Sequence, residues 1–423
     1  MATLYISSGS GADNGSGYTS QSSPAKTIQA ALISSSASDT LEIIDQEIYY
    51  VNNQSITTDN ITITHTSSHL GRPHIKGTGA PSSTIFRLSG DHMTFINLEM
   101  SNAVQPFYNA GSEDSFHLSG CFLHDVQRLH SHAIVGDPSD QTSINECVIY
   151  FANNMGHGAL ASPPILVYSD VIIKNCLITC SADNNDGIMW DYGFNGDGDV
   201  FTSTASFSTF INTPGASTTD PIMKVGKIIN CIVSGTGKGI YSDDHTYNLA
   251  ITSEAAVFSS IAGASASAAT GDIVNQNPVF VDGTAAGSSP SIAANFKLQS
   301  TSPCVDSGVS YGNITTDISG NTRGQRYWNS YSTPTKPKFA VDFTINLDNN
   351  LTAQHKTPGP VGANDLGAYE YVDPTRDVYE GIHPAIDQVP ISLSLPGAPT
   401  LRGRSTAYIT TQNNPSKVIS GSS

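Results

Sequence analysis

"VIIKNCLITC" (residues 171–180) sets a short apolar run on either side of an Asn-Cys pair. Four other runs align with it: "MTFINLEMSN" (93–102), "SFHLSGCFLHD" (115–125), "SINECVIYFAN" (143–153) and "KIINCIVSG" (227–235). The residue at the shared position is Leu98, Cys121, Cys147, Cys176 or Cys231, at steps of 23, 26, 29 and 55 residues, the last about two periods. Asn97, Asn175 and Asn230 precede that position, and small or turn-forming residues follow. A repeat in the twenties, made of short β runs and Asn/Gly/Ser turns, predicts a parallel β-helix in which each coil supplies two or three strands. No single coil buries its own apolar face. Stacking the next one about 4.8 Å away completes both core and backbone ladder. Equivalent positions then stack, so the cysteines are expected as a buried thiol column. With Cys180 and Cys304 they number six and show neither a CxxC pair nor a zinc spacing.

The flanks extend this reading. "YISSGSGADNGSGYTSQSSPAKTIQAALISSSASDTLEII" predicts a strand, a Gly/Ser loop, and a helical turn with Ile28, Ala31 and Leu32 on one face. It resembles the opening of right-handed parallel β-helix proteins of the pectate-lyase-like superfamily, where a short helix caps the first coil. At the other end "LQSTSPCVDSG", "TDISGNTRGQ" and "DLGAYEY" resemble the closing segment of bacterial choice-of-anchor surface β-helix proteins. The resemblances imply an all-β fold: one right-handed parallel β-helix solenoid with a short N-terminal capping helix and an extended C-terminal arm. The expected divisions are 1–45 (strand and cap), 46–325 (coils), 326–372 (insert and closing strand) and 373–423 (Pro/Ser-rich arm). The fold implies little about function, since it hosts lyases, hydrolases, adhesins and phage spikes.

Composition narrows the partners. Charged residues make up 13% of the 423, and the formal net charge is −17. Nineteen thinly spread Lys and Arg argue against nucleic acid. No run of 18 apolar residues exists to span a membrane. "MATLYISSGSGADNGSG" lacks the basic and apolar regions of a signal peptide. That absence, with an immediate N-terminal cap, favours a protein released by lysis, placed on a virion or cell surface.

"SADNNDGIMWDYGFNGDGD" (181–199) gathers five aspartates and no basic residue. Asp183 and Asp186, or Asp243 and Asp244, are the carboxyl pairs available for glycoside hydrolysis. Residues Asp191, Asn195, Asp197 and Asp199 stand at alternate positions, like the start of an EF-hand loop. Thr202 occupies the twelfth place, so an EF-hand fails; a solvated acidic turn is the plainer reading, and a looser calcium site on Asp197, Asp199 and backbone carbonyls is the alternative. Trp190, Tyr192 and Phe194 share one side of an extended strand; they would stack on sugar if exposed, and burial or an interface is the favoured reading. His117, His124, His130 and His132 cluster in sequence; His130 and His132 have metal-ligand spacing without a third ligand, and polar loop or coil-surface histidines are the plainer reading. The motif set of polygalacturonate hydrolases is out of order: "GHG" (156–158) precedes Asp243–Asp244, and no Arg-Ile-Lys follows.

The expectation is a structural, self-assembling virion or surface protein, a phage capsid-decorating or tail-associated β-helix. Its C-terminal arm would contact neighbouring copies or other surface proteins. The alternative is a carbohydrate-active β-helix, a polysaccharide lyase, hydrolase or depolymerising spike. A secreted adhesin is the third reading.

Overall fold

The computed structural model describes most of residues 1–323, residues 364–371, and the strand residues 326–327, 378–379, 405–411 and 414–421. The longer stretches outside the described residues are 110–115, 130–141, 152–162, 181–186, 192–202, 213–221, 253–257, 260–268, 283–289, 328–363 and 380–404.

Each aligned run is a corner of a coil. Val171–Lys174 lies on one face, Asn175 and Cys176 turn the chain, and Leu177–Cys180 lies on a second face. The first face stacks ten strands, from Thr3–Ile6 to Asp244–Thr246. The second also stacks ten, from Ile48–Tyr50 to Ile273–Val274. A third face carries a three-stranded sheet (Gln54–Ile56, Thr84–Leu88, Gln105–Asn109) and a five-stranded one that begins at Ile165–Val167. Neighbours on all three faces pair in parallel: Val171 opposite Thr142, and Leu177 opposite Val148. The chain is a right-handed parallel β-helix.

The turn between the first two faces needs one residue in the left-handed region. Asn97, Gly120, Glu146, Asn175, Phe207 and Asn230 occupy it, with φ between 47° and 62°. Asn and Gly tolerate that conformation best, which explains the Asn seen in three runs. The 55-residue step does hold an extra coil, in which Phe207 takes the turn and Ser208 stands in the cysteine column. Ser208 Oγ accepts from the Cys176 N–H at 3.1 Å. All six cysteines are free and buried. Their thiols donate to corner carbonyls, as from Cys147 to Asn145 O and from Cys176 to Lys174 O, both at 3.1 Å.

Side chains alternate across each strand. Ile144, Ile173, Ala205 and Ile228 stack inward from the first face, and Leu123, Ile149, Ile178, Phe210 and Val233 from the second. Nearer the N-terminus Phe86, Phe95, Phe107 and Phe116 fill the interior with ring centroids 4.8–5.3 Å apart along the series. Each such ring contributes about 1.5–3 kcal/mol by leaving water. The helix Ile28–Ser34 covers the first coil with Ile28, Ala31 and Leu32 buried, as the sequence predicts. Thr27 caps it, its hydroxyl accepting from the Ala30 N–H at 3.1 Å.

The C-terminal part of this unit departs from the expected run of coils to residue 325. Among the described residues stacking ends at Ile273–Val274, and residues 280–282, 290–323 and 364–371 form a layer on the outer side of the second face. The reason lies in the outward residues of that face: Phe122, Tyr150, Leu177, Ile211 and Ile232 are apolar or aromatic and need cover. Phe296, Ala368 and Tyr369 pack on the first four, and Leu298, Cys304 and Leu366 on Ile232. The corner asparagines help to fix the layer. Asn175 Nδ2 donates to Thr316 O and Asn230 Nδ2 to Val309 O, both at 2.7 Å. Gly367, at φ +87°, passes so close that a Cβ would sit 2.6 Å from Thr209 Oγ1. Arg323 is fully enclosed here: it meets Glu370 at 3.2 Å, Asn175 Oδ1 at 2.8 Å and the Gly367 carbonyl at 3.0 Å, and its guanidinium lies 4.3 Å from the Phe207 ring centroid.

A second unit comprises residues 324–363 and 372–423. Within it Arg326–Tyr327 pairs with Val378–Tyr379, and Ser405–Thr411 forms an antiparallel hairpin with Asn414–Gly421.

Candidate functional site

The apolar outward row of the second face gives way, toward the N-terminus, to polar and charged residues. His74 lies on strand His74–Lys76, Glu99 on Glu99–Ala103, and His124 on Phe122–Val126, three successive coils. In register, His74 stands opposite Glu99, while His124 stands opposite Ser101, two residues further along. The His124 ring therefore reaches back diagonally, steadied by stacking on Phe122 with centroids 4.7 Å apart. The three donor atoms lie within 4.8 Å of one another.

Glu99 Oε1 is the hub. His124 Nε2 lies 3.0 Å from it and His74 Nδ1 3.5 Å. The remaining nitrogens are also engaged: His124 Nδ1 with Asp125 Oδ2 at 2.8 Å, and His74 Nε2 with Ser101 Oγ at 2.7 Å. Burial disfavours the charged form of His124, but its bonds to Glu99 and Asp125 and their charges outweigh that and raise its pKa. Burial lowers that of His74, against the pull of Glu99 and with the repulsion of His124 and Lys76. Glu99 is lowered too: burial works against its charge, but the His124 bond and the nearby His74, His124 and Arg72 prevail.

The cluster itself is mostly enclosed, with His74 and Glu99 keeping a partial exposure and His124 buried, and the same face becomes exposed at its first strand. Tyr50 is 74% exposed and Ile48 47%, and Lys76 is half-buried beside them. Next to Tyr50 a cleft of about 290 Å³ is lined by Lys26, Gln29, Asn52 and Gln54.

Asp183, Asp186, Asp243, Tyr192, Phe194, Asn195, Asp197 and Asp199 lie outside the described residues, as do His130 and His132. Trp190 and Asp191 belong to strand Met189–Asp191 on the third face. Asp244 is on the first face, exposed, and paired with Lys227 Nζ at 2.7 Å. His117 Nδ1 meets Ser143 Oγ at 2.9 Å. Of the described residues of the histidine cluster, His117 and His124, His124 enters the site. Sequence reading missed His74 and Glu99, although a partial signal existed: 74 and 99 are one coil of 25 residues apart, whereas the next coil step is 23 and His124 lies two residues beyond it.

No family model and no curated protein matches the chain. Among solved structures it is similar to a pectin methylesterase from Aspergillus niger. Identity is 12%, 70% of this chain and 93% of that one are covered, and the TM-score is 0.40. It is also similar to a pectate lyase at 10% identity, with 75% and 94% covered and a TM-score of 0.38. At these values the fold rests on the strand pairing described above, and the site on its own geometry.

Proposed function

We propose that this chain is a carbohydrate-active β-helix that engages a polysaccharide along the open part of the second face, with His74, Glu99 and His124 at its centre. The change in character of that face carries the reading. Where the outward row is apolar the protein covers it with its own C-terminal layer; toward the N-terminus it turns polar, with an exposed Tyr50, the cation Lys76 and an acid–imidazole cluster in which His74 and Glu99 are partly exposed and His124 is buried. An exposed aromatic flat enough to stack on a sugar ring, amide side chains at Asn52 and Gln54, and ionisable groups in one line suit a linear polymer better than a compact ligand. Two imidazoles pushed in opposite directions beside one carboxylate supply groups for cleavage by lyase or hydrolase chemistry.

A panel of neutral and uronate-containing polysaccharides, read both for reducing ends and for unsaturated products, tests it. Activity on one of them is expected, falling at least tenfold in Tyr50→Ala through KM and at least a hundredfold in Glu99→Gln through kcat. Binding and turnover that are absent across the panel, or unchanged in both variants, would defeat the reading.

A second reading has its own observation. The hairpin of Ser405–Thr411 and Asn414–Gly421 belongs to a unit separate from the solenoid, as an assembly arm would. Light scattering of the full chain and of a chain ending at Tyr371 distinguishes the two. An oligomer reduced to a monomer by the truncation favours a structural, self-assembling surface or virion protein.

A further inference from the structure

We infer that His74, Glu99 and His124 form a binding site for a divalent transition-metal ion of the zinc class. The inference stands apart from the polysaccharide reading, because metal binding is measured without any turnover.

Three observations carry it. The first is donor spacing. Zinc bonds of about 2.0–2.2 Å in a tetrahedron put neighbouring donor atoms roughly 3.3–3.5 Å apart. The two separations from Glu99 Oε1, 3.0 Å to His124 Nε2 and 3.5 Å to His74 Nδ1, bracket that edge closely enough that small side-chain rotations complete it.

The second is the orientation of the rings. Each histidine turns one nitrogen toward Glu99 Oε1 and anchors the other on an oxygen, Asp125 Oδ2 for His124 and Ser101 Oγ for His74. In the tautomers that donate N–H to those anchors, His124 Nε2 and His74 Nδ1 would present lone pairs beside the carboxylate oxygen, three donor atoms within 4.8 Å of one another. That arrangement suits a cation. A carboxylate or hydroxyl behind a ligating imidazole is the arrangement that fixes tautomer and direction at metal sites.

The third is position. The cluster sits on strands of three stacked coils rather than on loops, so the ladder holds its backbone in place. Glu99 and His74 are 21% and 19% exposed in their side chains, which leaves an outward position for water or a substrate oxygen. Two imidazoles and one carboxylate with an open place are the donor set of hydrolytic zinc sites. Calcium is a poor match, because two of the three donors are nitrogen. Arg72 and Lys76 act on Glu99 and His74 from nearby, and the two carboxylates, Glu99 and Asp125, offset them. A bound ion would polarise a hydroxyl or carboxylate oxygen of the polymer and make its own water more acidic.

The test uses the full chain, freed of metal by a chelator and titrated with zinc, cobalt and calcium by calorimetry. One zinc per chain is expected in competition with a chelator of known affinity, with calcium unable to displace it. Cobalt in the same place should show the intense visible absorption of a tetrahedral site. His74→Ala and Glu99→Gln each should weaken zinc at least a hundredfold, and Asp125→Asn by about 10–100-fold through its hold on His124. Melting of the metal-free proteins separates loss of the site from loss of folding, and Asp125→Asn, a near-isosteric change at a partly exposed residue, keeps the test open if the others unfold. Zinc bound as tightly by all three variants as by the parent, or displaced equally well by calcium, would overturn the inference. Metal binding without activity on any polysaccharide would leave it standing and count only against the polymer reading.

Discussion

At the scale of single residues, one conformational demand recurs at six successive coils. Asn175 meets it at φ 51° and also donates to Thr316 O and accepts from Arg323. Asn175→Ala should cost about 2–4 kcal/mol, from the left-handed backbone and two lost hydrogen bonds, whereas Asn175→Gly should recover about 1 kcal/mol of that. Urea unfolding of the pair checks the difference. The asparagines were legible in the sequence because Asn suits this backbone. Glu146 and Phe207, which hold the same φ, were not, since nothing in their chemistry announces it; Phe207 is held there among packed neighbours with Arg323 against its ring. The thiols follow similar logic. Burial pushes the Cys231 and Cys304 thiols up to about 12, and those of Cys121 and Cys147 well above their usual value. An aromatic disulfide reagent at neutral pH should find none of the six reactive in the folded protein and all six after unfolding. Fast labelling of Cys121, Cys147, Cys176 or Cys231 in the native state would contradict the buried column, and of Cys304 the packing of the C-terminal layer.

At the scale of elements, the first strand and the cap are tied together by carboxylates. Asp39 accepts from the Ala2 N–H at 2.6 Å and the Ser36 N–H at 2.9 Å, and the Ala2 bond holds its carboxyl below the ordinary value against the opposing effect of burial. A carboxyl lowered on folding adds stability above its ordinary pKa, near 3.8, and loses it as the pH falls through the lowered value. Asp39→Asn should therefore be less stable than the parent by about 1 kcal/mol at pH 7, with the gap closing toward pH 3. Denaturant curves at the two pH values measure it. The helix Ile28–Ser34 was readable from its apolar spacing, and the strands from their β-branched runs. The site was harder to read. His74, Glu99 and His124 belong to three elements, each ordinary in its own run, and only superposition at the coil length places them side by side. His124 also reaches its partner with a two-residue offset that strict periodicity does not give.

At the scale of the whole solenoid unit, the C-terminal layer depends on one enclosed cation. Removing Arg323 leaves Glu370 buried with its charge uncompensated, so Arg323→Met should cost about 3–5 kcal/mol, and Arg323→Met with Glu370→Met less than the single change. Limited proteolysis and binding of a hydrophobic dye should report Phe122, Tyr150, Leu177 and Ile211 coming into solvent in the single variant. The sequence pointed to a closing segment but not to its place. That depends on the outward row of the second face, whose apolar residues look in sequence just like inward ones.

That layer also sets an order of events during synthesis. Ile211 is shielded by residues as distant as Tyr369, and Thr209 bonds to Ala368, 159 positions later. At about 5–20 residues per second, the emerging solenoid carries a bare hydrophobic stripe for roughly 8–30 s before its cover leaves the ribosome. A nascent chain of this kind is a natural client for a holding chaperone, and a ribosome stalled before Phe296 would release a product that sticks to its own copies.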